Sequence, residues 1–177
     1  SLEMQLPKLL WLKEHKPDTW TQSHKFFDLP DWLTYKASGS DTRSFCSVVC
    51  KWNYFVPSQT EIIGWDLEFF KRIGLGDLAE DNWSKIGSEV LSPGHLVGSG
   101  LSPESAAQLG LKPGTAVGTS LIDAHAGAVG MLGGMKDLAG NLGLVSGTST
   151  CHMLLSRSSN LVAGVWGPYY SALMEGL

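Results

Sequence analysis

Of the 177 residues, only 13 are Lys or Arg, against 17 acids, for a formal net charge of -4. No basic stripe is available to neutralise a phosphate backbone, which argues against nucleic acid as a partner. The longest apolar runs are too short to cross a bilayer, and there is no charged-then-apolar leader with a small-residue cleavage site. A cytoplasmic setting is therefore expected. Cysteine is scarce: Cys46, Cys50 and Cys151. The four-residue step from Cys46 to Cys50 is neither a CxxC redox pair nor a zinc knuckle, so reduced, buried thiols are expected. No Gly-Lys pair occurs anywhere, so a Walker-type phosphate loop is excluded. Gly74-Leu75-Gly76-Asp77-Leu78-Ala79 has the glycine spacing of a dinucleotide fingerprint but follows a predicted helix instead of a strand, and fails on context.

What is present is a globular composition, 43% apolar and 17% charged, that changes along the chain. Residues 98–177 carry 15 of the 21 glycines but 7 of the 30 charged residues. The earlier part is charged, aromatic and helix-like. The later part is small-residue-rich and strand-like. The shift suggests a domain boundary near Lys112-Pro113-Gly114, dividing the chain into 1–113 and 114–177.

Turn and cap residues predict the elements. A helix opens near Pro7 and stops at Pro17. A second starts at Asp28, turns Leu29, Trp32 and Leu33 inward, and stops at Gly39. Ser44 to Phe55 reads as a strand or hairpin arm. A short helix from Leu67 to Ile73 follows Asp66, and Ser102-Pro103-Glu104 starts another that Gly110 closes. Thereafter a buried strand at Thr115–Ile122, a helix at Ala124–Leu132, a strand at Asn141–Val145, a turn at Gly147–Thr150 and a strand at Cys151–Leu155 open an α/β domain.

Three places carry possible chemistry. Asp123 stands where a strand ends, a favoured position for catalytic groups in α/β proteins. Its carboxylate could accept a hydroxyl proton, or simply cap the next helix. Gly147-Thr148-Ser149-Thr150 could offer N–H and hydroxyl groups to phosphate oxygens, or be an ordinary hairpin turn. Lys51, on the predicted aromatic strand, could point a charge into a cleft or snorkel to solvent. His125 and His152 have no second ligand at metal spacing and read as satisfied polar residues.

In order along the chain, these pieces resemble the FGGY carbohydrate kinases. Pro7-Lys8-Leu9-Leu10-Trp11-Leu12-Lys13-Glu14 is similar to the family's Lys-x-x-Trp-Leu signature, with Gln5 standing where Ser, Thr or Pro is usual. Asp31-Trp32-Leu33 and Gly39 resemble the helix that follows. Ser40-Asp41-Thr42-Arg43-Ser44 and Cys46 to Trp52 resemble the ribulokinase-like form of the next segment. Thr119 to Gly127 resembles the catalytic-aspartate segment, Ser146 to His152 the second phosphate loop, and Val165-Trp166-Gly167-Pro168-Tyr169-Tyr170 the ribulokinase-like branch.

The resemblance implies an α/β, actin-like (RNase H-like) two-domain ATPase fold, incomplete in this chain. Residues 1–113 would end the first domain and 114–177 begin the second. ATP with Mg2+ would bind between domains and a small sugar would be the acceptor, most specifically D-ribulose. Asp123 would be the general base and contact the sugar. Lys51 would touch the sugar, and Gly147, Thr148 and Ser149 would lie against nucleotide phosphates. No side chain is assigned as a metal ligand. The family's first phosphate hairpin and its adenine-binding segment have no counterpart here, so the chain alone is expected to be nearly inactive. Two other readings share these features: a catalytically inactive product of a kinase gene, and an actin-like ATPase without sugar specificity.

Overall fold

A computed structural model describes residues 1–56 and 64–177. The first region is helical. α1 spans Gln5–His15 and α2 spans Pro17–Gln22, the proline ending one helix and seeding the next. α3, Leu29–Ser38, follows Asp28 and is stopped by Gly39, whose φ of 78° suits glycine. Strand β1, Arg43–Ser44, runs directly into α4, Phe45–Lys51. α5, Leu67–Arg72, is capped by Asp66, whose side chain accepts the N–H groups of Glu68 and Phe69. A kinked 310 stretch occupies Gly76–Trp83, and β2, Val90–Leu91, pairs in parallel with β1. α6, Pro103–Leu109, has the expected Ser102 cap and Gly110 stop.

Two sequence expectations fail in this region. Ser44 to Phe55 is mostly helix: the Ser44 hydroxyl accepts the Cys46 N–H at 3.2 Å and starts α4. Cys46, Ser47, Val48, Val49 and Cys50 are all buried, so the helix is enclosed on every side and its continuous apolar run has no helical period to read. In α3 the burial is reversed. Leu29, Trp32 and Leu33 are 68%, 44% and 54% exposed, while Asp31 is 1% exposed. The inward side of α3 meets polar partners: Asp31 Oδ1 accepts the Ser44 N–H at 3.1 Å and the Ser120 hydroxyl at 2.7 Å.

The main core gathers Leu6, Leu9, Trp20, Val48, Val49, Trp52, Val56, Phe70, Leu75, Leu78 and Ile86. Trp65, Phe70 and Trp83 meet in edge-on and tilted pairs, with Phe70 5.0 Å from Trp83 between ring centres. Beside it lies a buried charge. The Arg43 guanidinium sits 3.6 Å over the Phe27 ring, pairs with Asp41 at 2.5 Å and donates to the Ile86 carbonyl. Gly87, at φ 96°, makes room: a Cβ there would lie 2.5 Å from Arg43 Cγ.

The second region begins with a further correction. Thr115–Ile122 does not form a regular strand. Its backbone bonds residues 94–101, through Thr115, Val117 and Thr119, with one isolated bridge between Gly118 and Leu96. Of the stretch Thr119 alone is buried, and among the described residues no second strand lies alongside to extend it. The rest follows expectation. α7 spans Asp123–Leu132, and β3, Leu142–Ser146, forms an antiparallel hairpin with β4, Thr150–Leu154. A smaller core of Ala128, Leu132, Leu155 and Leu173 joins them. Tyr169 returns to pack on the first core.

Candidate active site

The direction of α7 decides which residues can cooperate. A Cβ at Gly127 would lie 3.2 Å from Val145, and one at Gly143 would lie 3.3 Å from Met131 and 3.4 Å from Leu132. Helix numbers rise as strand numbers fall, so α7 runs antiparallel to β3. Four helical residues advance about 6 Å, the same as two strand residues. One turn back from Gly127 therefore brings Asp123 level with Gly147. The first turn of the helix and the tip of the hairpin share one end of the layer.

Asp123 is the first residue of α7 and is exposed. It is not the N-cap; that position is Ile122, and no side chain caps the helix. Among the described residues Oδ1 accepts only the adjacent Ala124 N–H, at 2.8 Å. Capping thus fails to account for this carboxylate, which remains open to a ligand. At the hairpin tip, the Gly147 N–H bonds the Ser149 carbonyl at 2.8 Å, and the Ser146 and Thr150 hydroxyls stand 3.4 Å apart. Gly147, Thr148 and Ser149 are exposed, and the N–H groups of Thr148 and Ser149 have no protein acceptor among the described residues. A turn with free N–H groups, hydroxyls and no acid has the donor chemistry of an anion cradle.

Lys51 occupies a different setting from the one expected. It ends α4, not a strand, and its ammonium lies 3.7 Å from the Glu3 carboxylate with 29% of the side chain exposed. The neighbouring residue does reach the second region: Cys50 Sγ lies 3.6 Å from His125 Nε2. Cys46, one turn earlier, accepts the Ile122 N–H on its sulfur at 3.4 Å. His125 is less satisfied than expected, since its buried Nδ1 has no partner among the described residues. His152 is exposed on β4. The Tyr169 phenol is pushed above its ordinary pKa by burial and by the nearby Cys50 and Glu3.

Sequence reasoning missed two acids, the half-buried Asp28 and the buried Asp31, that tie the helices of the first region together. Asp28 accepts from Trp52 Nε1 at 2.7 Å and from the Gln5 amide, so the unusual Gln5 ties α1 to the start of α3. Burial raises its carboxyl pKa, and the Trp52 bond and Lys8 partly offset that. Asp31 is likewise raised, by burial first, against the bonds from Ser120 and Ser44. The available signal was each acid's place at a proline-led helix start. All three cysteines are free thiols. Among the described residues no three His, Cys, Asp or Glu side chains gather as a metal site, and no helix is long and apolar enough to cross a membrane.

No protein-family model matches the chain. Its similarity to known proteins is nevertheless extensive. It is 53% identical to an FGGY carbohydrate kinase domain-containing protein of Danio rerio, over 100% of this chain and 34% of that protein. The Homo sapiens protein of the same description is 50% identical over 99% of this chain and 33% of its own length. A D-ribulokinase of Saccharomyces cerevisiae is 40% identical over 99% of this chain and 28% of its own length. In three dimensions the chain resembles a gluconate kinase from Lactobacillus acidophilus, with a TM-score of 0.66 at 15% identity over 89% of this chain and 29% of that one. It also resembles a xylulose kinase from Brucella ovis, with a TM-score of 0.59 at 21% identity over 81% of this chain and 27% of that one. These likenesses show the actin-like sugar-kinase fold, present here in part. The chain spans about a third of the length of the curated relatives it matches, and over that third it is similar to FGGY carbohydrate kinases.

Proposed function

We propose that this chain supplies the phosphoryl-transfer wall of an ATP-dependent sugar kinase whose acceptor is a ketopentose, most specifically D-ribulose. The observation that carries the reading is the antiparallel packing of α7 on β3, Gly127 against Val145 and Gly143 against Met131 and Leu132, which by helix and strand rise turns an exposed, non-capping Asp123 toward the turn end of the hairpin. The 40% identity to a D-ribulokinase supports the choice of sugar. Residues 1–113 act as the end of one domain and 114–177 as the beginning of the next. The protein works in the cytoplasm.

Phosphoryl transfer asks a protein mainly for positioning and electrostatic stabilisation, with a base to receive the hydroxyl proton. Asp123 holds the primary hydroxyl of the sugar through its carboxylate and takes that proton as the oxygen attacks. The N–H groups of Thr148 and Ser149, with their hydroxyls and the open backbone at Gly147, hold phosphate oxygens of the nucleotide. Lys51 contacts the sugar from the end of α4, exchanging its loose contact with Glu3 for a hydroxyl. ATP, when bound, supplies the phosphoryl group. Mg2+ fits this donor set through phosphates and water, since the ion keeps several waters and needs no all-protein cage.

The test is ADP release by a kinase of full family length carrying this segment, across a panel of pentuloses, gluconate and no sugar. D-Ribulose should give the highest kcat/KM. Sugar-independent ATP hydrolysis at a comparable rate would replace this reading with that of an actin-like ATPase. Asp123→Asn should lower kcat by about 10³-fold, within the range for a positioned base, and leave nucleotide affinity within about twofold.

A further inference from the structure

We propose that Cys46 and Cys50 are positioning residues that clamp the Asp123 segment from both sides, so that the two thiols of α4 set where the base stands. This rests on the reading of Asp123 as the base. The two sulfurs lie one helical turn apart, which puts them on the same face of α4. Both side chains are buried, at 0% and 5% exposure. Cys46 Sγ accepts the N–H of Ile122, the residue immediately before Asp123, at 3.4 Å. Cys50 Sγ meets the ring of His125, two residues after it, at 3.6 Å. Upstream, the Ser44 hydroxyl donates to the Ser120 carbonyl at 2.6 Å, and the Ser120 hydroxyl donates to Asp31. The segment is thus held at 120, 122 and 125, while residue 123 alone faces outward.

The clamp also stands in for a missing cap. α7 has no side-chain cap, and the N-cap residue Ile122 offers no polar group of its own. What fixes the entry of the helix is a sulfur supplied by another helix. The neighbouring Cys50 thiol and burial push the Cys46 thiol well above its ordinary pKa, so it stays protonated and neutral. A neutral sulfur can accept an N–H without adding a negative charge close to the Asp123 carboxylate. A displacement of about 1 Å at a reacting group can cost about 10²-fold in rate. Two contacts on residues 122 and 125 are therefore enough to control the rate without touching the substrate.

The experiment uses a kinase of full family length carrying this segment, with D-ribulose and Mg-ATP. Cys46→Ala combined with Cys50→Ala should lower kcat about 30-fold through misplacement of the base. KM for Mg-ATP should stay within about twofold, because the hairpin turn is untouched. Cys46→Ser, which keeps an acceptor for the Ile122 N–H, should recover most of the loss caused by Cys46→Ala. Placed on Asp123→Asn, the double alanine change should have almost no further effect on kcat, because there is no base left to misplace. Full turnover in the double alanine variant overturns the proposal, as does an undiminished loss on the Asp123→Asn background. Near-normal turnover of Asp123→Asn alone would remove the base, and this inference with it. Should the double variant not fold, Cys46→Ser and Cys50→Ser carry the same comparison, and identical kcat in Cys46→Ser and Cys46→Ala would contradict the clamp.

Discussion

The two apolar cores of this chain are held in different ways. Around Phe70 and Trp83 the packing is aromatic, edge-on and closed, and the buried Arg43 and Asp31 with the half-buried Asp28 stitch one element to the next. Around Leu132 one helix lies on one face of a two-stranded hairpin. Leu142, Leu144 and Leu154, on the other face, are 57%, 50% and 61% exposed. A two-stranded hairpin is marginal without further strands or cover. The proposed chemistry lies at the end of the thinner unit, and it is tied to the thicker one through Cys46, Cys50, Ser44 and Asp31. Stability and the proposed reactivity are thus divided: the first region is the frame and the second presents the proposed reacting groups.

The strongest way to break that comparison is to truncate each core. Phe70→Ala should cost about 4 kcal/mol and Leu132→Ala about 2 kcal/mol, measured by urea denaturation, because a thin layer can relax around a cavity and a closed aromatic one cannot. Equal losses would mean that the two cores are equally tight. Next comes the stitching. Asp31→Ala leaves the Ser44 N–H and the Ser120 hydroxyl without their acceptor and should cost about 3 kcal/mol. Asp31→Asn keeps the Oδ1 acceptor. Its amide can also donate to the Ser47 hydroxyl beside it, so its cost should be under about 1 kcal/mol.

A paired glycine test is smaller. Gly87→Ala meets both a positive φ and the Arg43 side chain, and should cost about 2–3 kcal/mol. Gly94→Ala has a similar φ of 83° but open space, and should cost about 1 kcal/mol. The difference isolates the contribution of the buried arginine. If both variants unfold at the same urea concentration, Arg43 yields freely and is not part of a rigid frame.

Much of this frame was readable in the sequence because capping and stop signals are local. Pro17, Asp28 with Pro30, Gly39, Asp66, Ser102 with Pro103, and Gly110 mark helix ends where the chain puts them. What failed depends on distant partners. The α4 run is buried on all sides and mostly apolar, so period could not separate helix from strand. Leu29, Trp32 and Leu33 follow helical spacing yet face outward, because Asp31 finds its partners in Ser44 and Ser120, far along the chain. Thr115–Ile122 has strand-forming residues but, among the described residues, no neighbouring strand to complete a ladder. The candidate site divides in the same way. Asp123 and the 147–149 turn stand at local boundaries and were legible. The cysteine contacts became legible only once α4 was known to be a helix, which puts residues four apart on one side.

The smallest expected effect concerns pH. Burial raises the Asp31 carboxyl above its ordinary value of 3.8. Between that value and the raised one, the folded chain holds a proton that the unfolded chain has released, so stability falls as pH rises through this window. The contribution of the protonated group is fully present below the unfolded value and is lost above the folded one. Asp28 has the same sign. In urea titrations from about pH 4 upward, Asp31→Asn should flatten part of the fall. An unchanged slope would mean that Asp31 ionises as freely when folded as when unfolded.

The most direct test is a crystal structure of a kinase of full family length carrying this segment, with a non-transferable ATP analogue and D-ribulose bound. The terminal phosphate should lie against residues 147–149, and the primary hydroxyl of the sugar should stand about 2.6–3.2 Å from the Asp123 carboxylate. A terminal phosphate seated elsewhere, or a sugar hydroxyl facing some other base, would contradict the account.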